Sequence, residues 1–148
     1  MGIIIKSPSS ESEWEKYFDL RYRIMREPLG KPRGSERNEE DETGIHFALY
    51  ENEILKAIAR LDKHENGHLN ATMQVRFVAV ENNLQGQGFG KKIMLATEEK
   101  AMEIGAKKMI LHARDYAVPF YLNLEYKIIE KSYILFDQIQ HYLMEKKL

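Results

Sequence analysis

A glycine-rich run at the start of a helical pattern carries the clearest chemistry in the sequence. Gly86, Gly88 and Gly90 follow an apolar, strand-like segment at 78–80 and lead directly into residues with helical spacing. Glycine lets the backbone approach a ligand closely, and the free N–H groups at a helix start bind phosphate with the help of the helix dipole. The sequence therefore predicts a phosphate-binding loop.

Two lysines directly after these glycines strengthen the prediction. Lys91 and Lys92 fall in the first helical turn, where a positive charge is unfavourable by about 0.3–1 kcal/mol unless an anion binds there. Gly86 and Gly90 enclose three residues, whereas a P-loop has four at that place. A dinucleotide fingerprint requires a parallel βαβ unit, and here a strand meander comes first. The alternative is a flexible glycine turn with solubilising lysines.

Histidines supply the candidates for proton transfer and for metal binding. His112 ends one predicted strand and His141 begins another, so each is a candidate general base. Residues 64–68, His-Glu-Asn-Gly-His, have the residue types and spacing of the His-Glu-x-x-His zinc motif. That motif works on a helix, whereas Asn-Gly between strands indicates a turn, so we expect no metal site.

Alternating helix and strand patterns position these residues. A capping box at Ser10 and Glu13 starts a helix that Pro28 stops. On the next predicted helix, residues 89–104, Ile93, Ala96, Ala101 and Ile104 share one face, and Gly105 ends it. The other predicted elements are strands at 45–50, 54–61, 69–80 and 109–111, a short helix at 119–124, and strands at 127–135 and 141–146.

The segment at 29–44 has no apolar period and is predicted to be a long, exposed, adaptable connection. Its acidic run, residues 39–42, is interpreted as a solvated face, and the alternative is that it attracts a cationic amine.

Composition limits the classes of function. The chain has 148 residues, 43% of them hydrophobic and 30% charged, which is typical of one globular domain spanning 1–148. No apolar stretch is long enough to cross a membrane, and a net charge of −1 provides no basic field for nucleic acid. The absence of cysteine excludes an acyl-cysteine intermediate and permits a cytoplasmic location, which we expect.

Three stretches of the chain resemble the GNAT superfamily of N-acetyltransferases. Gln85-Gly86-Gln87-Gly88-Phe89-Gly90-Lys91, preceded by Val78-Ala79-Val80, is similar to the pyrophosphate loop of that family, Gln/Arg-x-x-Gly-x-Gly/Ala. Residues 111–114 and 119–126 also match. The resemblance implies an α/β fold of mixed α+β type, in which helices flank a mostly antiparallel sheet of six to seven strands. The sheet splays between its fourth and fifth strands, and acetyl-CoA lies in the splay.

The resemblance also implies roles for individual residues. The strand backbone at Val78, Ala79 and Val80 pairs with the pantetheine arm, and the loop from Gln85 through Gly86, Gln87, Gly88, Phe89 and Gly90 to Lys91 holds the pyrophosphate. Tyr121 matches the general acid, and Asn123 matches a position associated with cofactor contact. Glu125 stands where the family usually has glycine; a left-handed conformation there would cost Glu about 1–2 kcal/mol.

The implied reaction is direct transfer of the acetyl group to a primary amine through a tetrahedral intermediate, whose oxyanion Val80 N–H stabilises. Because positions 72–80 contain no Asp or Glu, the base would be His112, His141, a loop carboxylate such as Glu36, or water. The alternative is a non-catalytic acyl-CoA-binding or sensor domain, and a nucleotide-binding module is a weaker third. The expected partners are a small-molecule or peptide amine and, as in similar proteins, a second copy in a homodimer.

Overall fold

The computed structural model describes residues 2–64 and 71–148, which form a seven-stranded sheet with helices on both faces. Its strands are β1 (Ile3–Lys6), β2 (Ile45–Glu51), β3 (Ile54–Lys63), β4 (Thr72–Val80), β5 (Lys108–Arg114), β6 (Lys127–Leu135) and β7 (Ile139–Lys147). Its helices are α1 (Glu11–Met25), α2 (Phe89–Ile104) and α3 (Val118–Asn123). Within the described ranges, no helix is both long and apolar enough to cross a bilayer. Only His64 of the zinc-like motif at 64–68 falls among the described residues.

The sheet divides in its middle. Its order is β1-β2-β3-β4-β5-β7-β6, and all neighbours are antiparallel except β4 and β5. The parallel pair is short, since only Thr72, Met73 and Gln74 have partners on β5. β4 then continues to Val80 while β5 pairs with β7 as far as Arg114. The mixed, mostly antiparallel sheet is confirmed, and its two halves diverge between β4 and β5.

An irregularity in β4 lies beside this divergence. Ile58 of β3 pairs with Ala79, whereas Arg60 pairs with Arg76, so β4 carries one residue more than its partner over this stretch. Phe77 lies within it and has a φ of 56°. Such a bulge bends the strand and re-aims its side chains, and a left-handed Phe is a strained residue of the kind found at functional sites.

The two long helices cover opposite faces of the sheet. Phe47 and Leu49 of β2 pack in the cluster that contains α2, whereas the alternate residues Ala48 and Tyr50 pack with α1. The core face of α2 is formed by Phe89, Ile93, Met94, Thr97, Glu98 and Ala101. Ile104 continues the face of Ile93 but is 47% exposed, because it lies in the last turn, where the chain leaves the helix at Gly105.

The connection at 29–44 is anchored at two carboxylates. Asp41 accepts hydrogen bonds from the fully buried guanidinium groups of Arg21 and Arg60, at 2.9 and 2.7 Å. Glu36 is 4% exposed and accepts the N–H of Gly34 at 2.8 Å. The interpretation of the acidic run as a solvated face was therefore wrong for Asp41, because two buried cations require a counterion. It holds for Glu39, Glu40 and Glu42, which are exposed.

Candidate active site

A cleft of about 470 Å³ lies between β4 and β5. Residues 75–80 form one wall and residues 111–114 the other, and residues of the glycine loop and α3 also line the cleft. A larger hollow of about 1020 Å³ lies beside α1, β1 and the β2–β3 turn, but none of the site residues predicted from sequence line it. Most of the candidate site residues named from the sequence therefore line the cleft between β4 and β5.

The edge of β4 presents free backbone groups to this cleft. Glu81 N–H donates to Lys56 O of the β3 side at 2.9 Å. Because successive residues of a strand direct their backbone groups to opposite edges, Val80 directs its N–H and C=O to the β5 side. The side chain of Gln85 donates to Val80 O at 2.9 Å, which leaves the N–H of Val80 facing the cleft. Val78 and Ala79 also line the cleft.

The glycine loop has the geometry of an anion site. Gly86 and Gly88 have φ values of 84° and 88°, which glycine adopts without strain. Gly88 caps α2 without any side-chain hydrogen bond, and no acidic side chain lies in the first turn. Lys91 lines the cleft, and a Cβ atom built on Gly88 would lie 3.6 Å from Lys92 Nζ. The loop therefore combines unpaired helix N–H groups with two ammonium groups.

Other loop residues serve packing. The Phe89 side chain is buried in the core, so only its backbone is available to a ligand. A Cβ atom on Gly90 would lie 3.1 Å from Phe120 Cζ, so glycine at this position leaves room for the Phe120 ring of α3. Gln87 is exposed and donates weakly to Asn83 O at 3.4 Å. The flexible-turn alternative leaves both the packing of Gly90 and the lysine positions unexplained.

Tyr121 of α3 lines the cleft. It is 8% exposed, and its ring packs edge-on against Phe120 and Tyr126 at 4.9 and 5.9 Å. Burial raises the pKa of its hydroxyl, although the positive charge of Arg114 opposes the shift. The hydroxyl therefore keeps its proton throughout the neutral range and is able to donate it.

The turn after α3 holds Tyr121 in place despite the unusual residue at 125. Glu125 has a φ of 75°, so it adopts the left-handed conformation considered from the sequence. Tyr126 N–H donates to Tyr121 O at 3.0 Å, which closes the turn. Asn123 is exposed and is not among the residues that line the cleft, so its contact with a cofactor stays a prediction.

His112 and His141 both line the cleft, and Tyr133 lies between them. The Tyr133 ring stacks on His141 at 4.5 Å and contacts His112 at 5.2 Å. A bulge in β6, where Lys131 pairs with Tyr142 and Ile134 with Gln140, places Tyr133 opposite His141. The bulge explains how an edge strand adds an aromatic ring to the site.

The environment keeps both imidazoles neutral. Burial lowers the pKa of His112, and the charge of Arg76 adds to the effect. Burial likewise lowers the pKa of His141, with a further contribution from Arg114. Because a carbonyl oxygen only accepts, His141 Nδ1 donates to Ile139 O at 3.1 Å, and its Nε2 carries the lone pair. In this tautomer, His141 Nε2 is able to accept a proton.

Comparison with known proteins identifies the family. A family model described as "Acetyltransferase (GNAT) domain" matches residues 29–148. The chain belongs to the GNAT acetyltransferases. YjcF of Bacillus subtilis, an uncharacterized N-acetyltransferase, is 26% identical over 137 residues, which are 93% of this chain and 94% of YjcF.

Solved structures share this GNAT fold over nearly the whole chain. ElaA of Escherichia coli superposes with a TM-score of 0.81 at 19% identity, covering 98% of both chains. The PaiA N-acetyltransferase of Thermoplasma acidophilum, solved in complex with coenzyme A, superposes with a TM-score of 0.76 at 15% identity, covering 100% of both. At these identities the likeness demonstrates the fold.

Several cleft residues of this GNAT enzyme were not predicted from sequence. Arg76, Arg114 and Tyr116 line the cleft, and Arg26 and Tyr133 line its inner extension. Arg114 directly follows His112 and Ala113 at the end of β5, so its position next to a predicted site residue was the available signal. Glu36, a candidate base, lines a separate hollow near Phe18 and Arg37.

We expect kcat to depend on pH through an imidazole that titrates below its ordinary range. Both histidine pKa values are lowered from 6.5, so the base is already neutral at pH 7 and becomes protonated only in more acidic solution. With both substrates saturating, kcat should therefore fall as the pH is lowered, with a midpoint below pH 6.5. Steady-state assays across the acidic and neutral range test this. A midpoint above neutrality would mean that deprotonation of the bound amine itself limits the reaction.

Proposed function

We propose that this GNAT protein transfers the acetyl group of acetyl-CoA to a primary amine by direct attack within the cleft. One observation carries the proposal: a single cleft joins the anion-binding loop, the free edge of β4 and three proton-transfer candidates, Tyr121, His112 and His141. Coenzyme A in the PaiA structure supports the cofactor assignment by analogy.

The loop and strand would position the acetyl donor. Backbone N–H groups across residues 86–91, assisted by Lys91 and Lys92, bind the pyrophosphate. The edge of β4 at Val78 and Val80 pairs with the pantetheine arm, as one more strand would. Val80 N–H donates to the thioester carbonyl oxygen as negative charge develops there, which stabilises the transition state.

The histidines and Tyr121 would carry out the proton transfers. An alkylamine is mostly protonated at neutral pH, so it must lose a proton before it attacks. His141 Nε2 accepts a proton from the amine, directly or through water, and His112 is the second candidate. Attack by the neutral amine forms the C–N bond of a tetrahedral intermediate. As its C–S bond breaks, Tyr121 donates its hydroxyl proton to the departing thiolate, and the proton that the nitrogen still has to lose passes to the resulting phenolate.

Release of free coenzyme A thiol in the presence of a panel of primary amines tests the proposal. We expect thiol release that depends on both amine and enzyme, with one acetylated amine formed for each thiol. Calorimetry with acetyl-CoA accompanies the assay. Binding without thiol release for any amine would favour the non-catalytic acyl-CoA-binding alternative, and absence of binding would refute the assignment of the cleft.

A further inference from the structure

The inner end of the cleft is lined by cationic and neutral groups. A cavity of about 80 Å³ adjoins the cleft there and shares part of its lining. Its basic members are Arg26, Arg76, Arg114, His112 and His141, and no Asp or Glu lines either the cleft or this extension among the described residues. Of these basic residues, Arg76 has a carboxylate nearby: its Nη1 lies 3.6 Å from the half-exposed side chain of Glu40.

Two of these arginines are buried and form no ion pair with a carboxylate of residues 2–64 or 71–148. Arg26 is 9% exposed, and its guanidinium donates to the carbonyl oxygens of Ser35 and Met25 at 3.2 and 3.1 Å. Arg114 is 7% exposed and donates to Met25 O and to Tyr116 Oη at 2.8 and 2.9 Å. Its Nε is buried with no hydrogen-bond partner in the described part of the chain.

The other buried arginines of the chain provide the contrast. Arg21 and Arg60 are fully buried, and each is bonded to a carboxylate, Asp41 for both and Asp62 for Arg60 in addition. A buried charge is costly unless it is paired, and the fold meets this requirement where the arginines are structural. Arg26 and Arg114, beside the cleft, have their charges unpaired in the described structure.

We propose that the missing counterion is part of the acceptor, which is an amine that also carries a carboxylate. The inference rests on the proposed function. A planar carboxylate matches the fork of a guanidinium, and the cavity beside Arg26 and Arg114 has the size for a small group of this kind. Positive charge around the reacting nitrogen favours its neutral, nucleophilic form and opposes binding of a polycation.

This assignment replaces the earlier alternative in which the acidic run attracts a cationic amine. Asp41 already neutralises Arg21 and Arg60, and Glu40 pairs with Arg76. Two of the four carboxylates of the acidic run are thus paired with arginines of the protein, whereas the charges that are unpaired among the described residues of the cleft are positive.

Matched acceptors test the inference on the wild-type enzyme. Each amino acid in a panel is compared with its amide, with the amine lacking the carboxylate, and with a phosphate-bearing amine. We expect kcat/KM for the best carboxylate-bearing amine to exceed that of its amide by about tenfold or more. Equal rates for acid and amide, a preference for polyamines, or a preference for the phosphate-bearing amine would overturn the carboxylate assignment.

Two variants and one control locate the effect. Arg26→Gln and Arg114→Gln should each lower the ratio of kcat/KM for the carboxylate acceptor to kcat/KM for its amide about tenfold. Arg33→Gln, which changes a largely exposed arginine that pairs with Asp19, is the control and should leave this ratio unchanged. If Arg114→Gln fails to fold, Arg26→Gln and the wild-type acceptor comparison still decide.

Direct binding separates this inference from the proposed function. If no amine is acetylated, calorimetry of the acid and its amide in the presence of coenzyme A measures recognition alone. Tighter binding of the acid, lost in Arg26→Gln, would support the anion site although transfer fails. Turnover of amines with no discrimination between acid and amide would keep the acetyltransferase and refute the anion site.

Discussion

Replacing Tyr121 by Phe is expected to lower kcat by about 10²–10⁴-fold, which is the contribution of a positioned general acid. The ring of Tyr121 packs against Phe120 and Tyr126, and Phe preserves these contacts while deleting the hydroxyl. Affinity for acetyl-CoA should therefore change little. Burial raises the pKa of the Tyr121 phenol, which makes its proton harder to donate. The same dry surroundings disfavour the charged coenzyme A thiolate, so the thiolate accepts a proton more readily.

Steady-state kinetics with the preferred acceptor, combined with calorimetry of acetyl-CoA, measure this change. Tyr50→Phe is the matched control, because Tyr50 is also a buried tyrosine, and it lies on the α1 side of the sheet outside the cleft. Full turnover of Tyr121→Phe would assign Tyr121 to the core and leave water as the proton source.

Replacing Gly88 by Asp is expected to weaken acetyl-CoA binding by about 10²-fold or more. A carboxylate here would lie where the pyrophosphate binds, and like charges about 4 Å apart repel by several kcal/mol at a protein surface. The new side chain would also lie beside Lys92 and neutralise it. Calorimetry of acetyl-CoA measures the loss.

Gly88→Asn separates charge from shape. Asn has nearly the size of Asp and tolerates the left-handed backbone at least as well, so both variants carry similar strain at a φ of 88°. We expect Asp to bind acetyl-CoA at least about tenfold more weakly than Asn. Equal affinity of the two variants for acetyl-CoA would show that the loop does not contact the negatively charged pyrophosphate.

The elements predicted most accurately from sequence are those with local signals. Helix α1 begins after Ser10, whose capping box forms as expected, and α2 spans the predicted residues 89–104 because Gly105 ends it with a φ of 108°. Strand ends moved by a few residues where no turn signal fixed them, as in β7, which begins at Ile139 rather than at 141. Local backbone chemistry was sufficient in these places.

Several of the site residues named from the sequence line one cleft. Val80, Gly88 and Tyr121 lie together in the cleft, and so do His112 and His141. The prediction that β4 and β5 diverge to create the cleft rested on the family resemblance alone, because the residue pattern of a strand does not indicate where its pairing with a neighbour stops. The roles of these residues stay predictions.

The features that the sequence did not predict depend on distant partners. Asp41 looked like one member of an exposed acidic run because Arg21 and Arg60, the residues that bury it, lie on other elements. Arg114 meets Met25 O across 89 positions of the chain, so its position beside His112 did not indicate which groups its guanidinium contacts. Such pairings arise from tertiary packing, which a local pattern does not encode.

A crystal structure of the protein with acetyl-CoA tests the central claim most directly. We predict the pyrophosphate oxygens within about 3 Å of backbone N–H groups in residues 86–91. We also predict the pantetheine between β4 and β5, and the thioester beside Val80 N–H and the Tyr121 hydroxyl. A pyrophosphate bound away from the loop, or an acetyl-CoA lying in the hollow beside α1 and β1, would contradict the account.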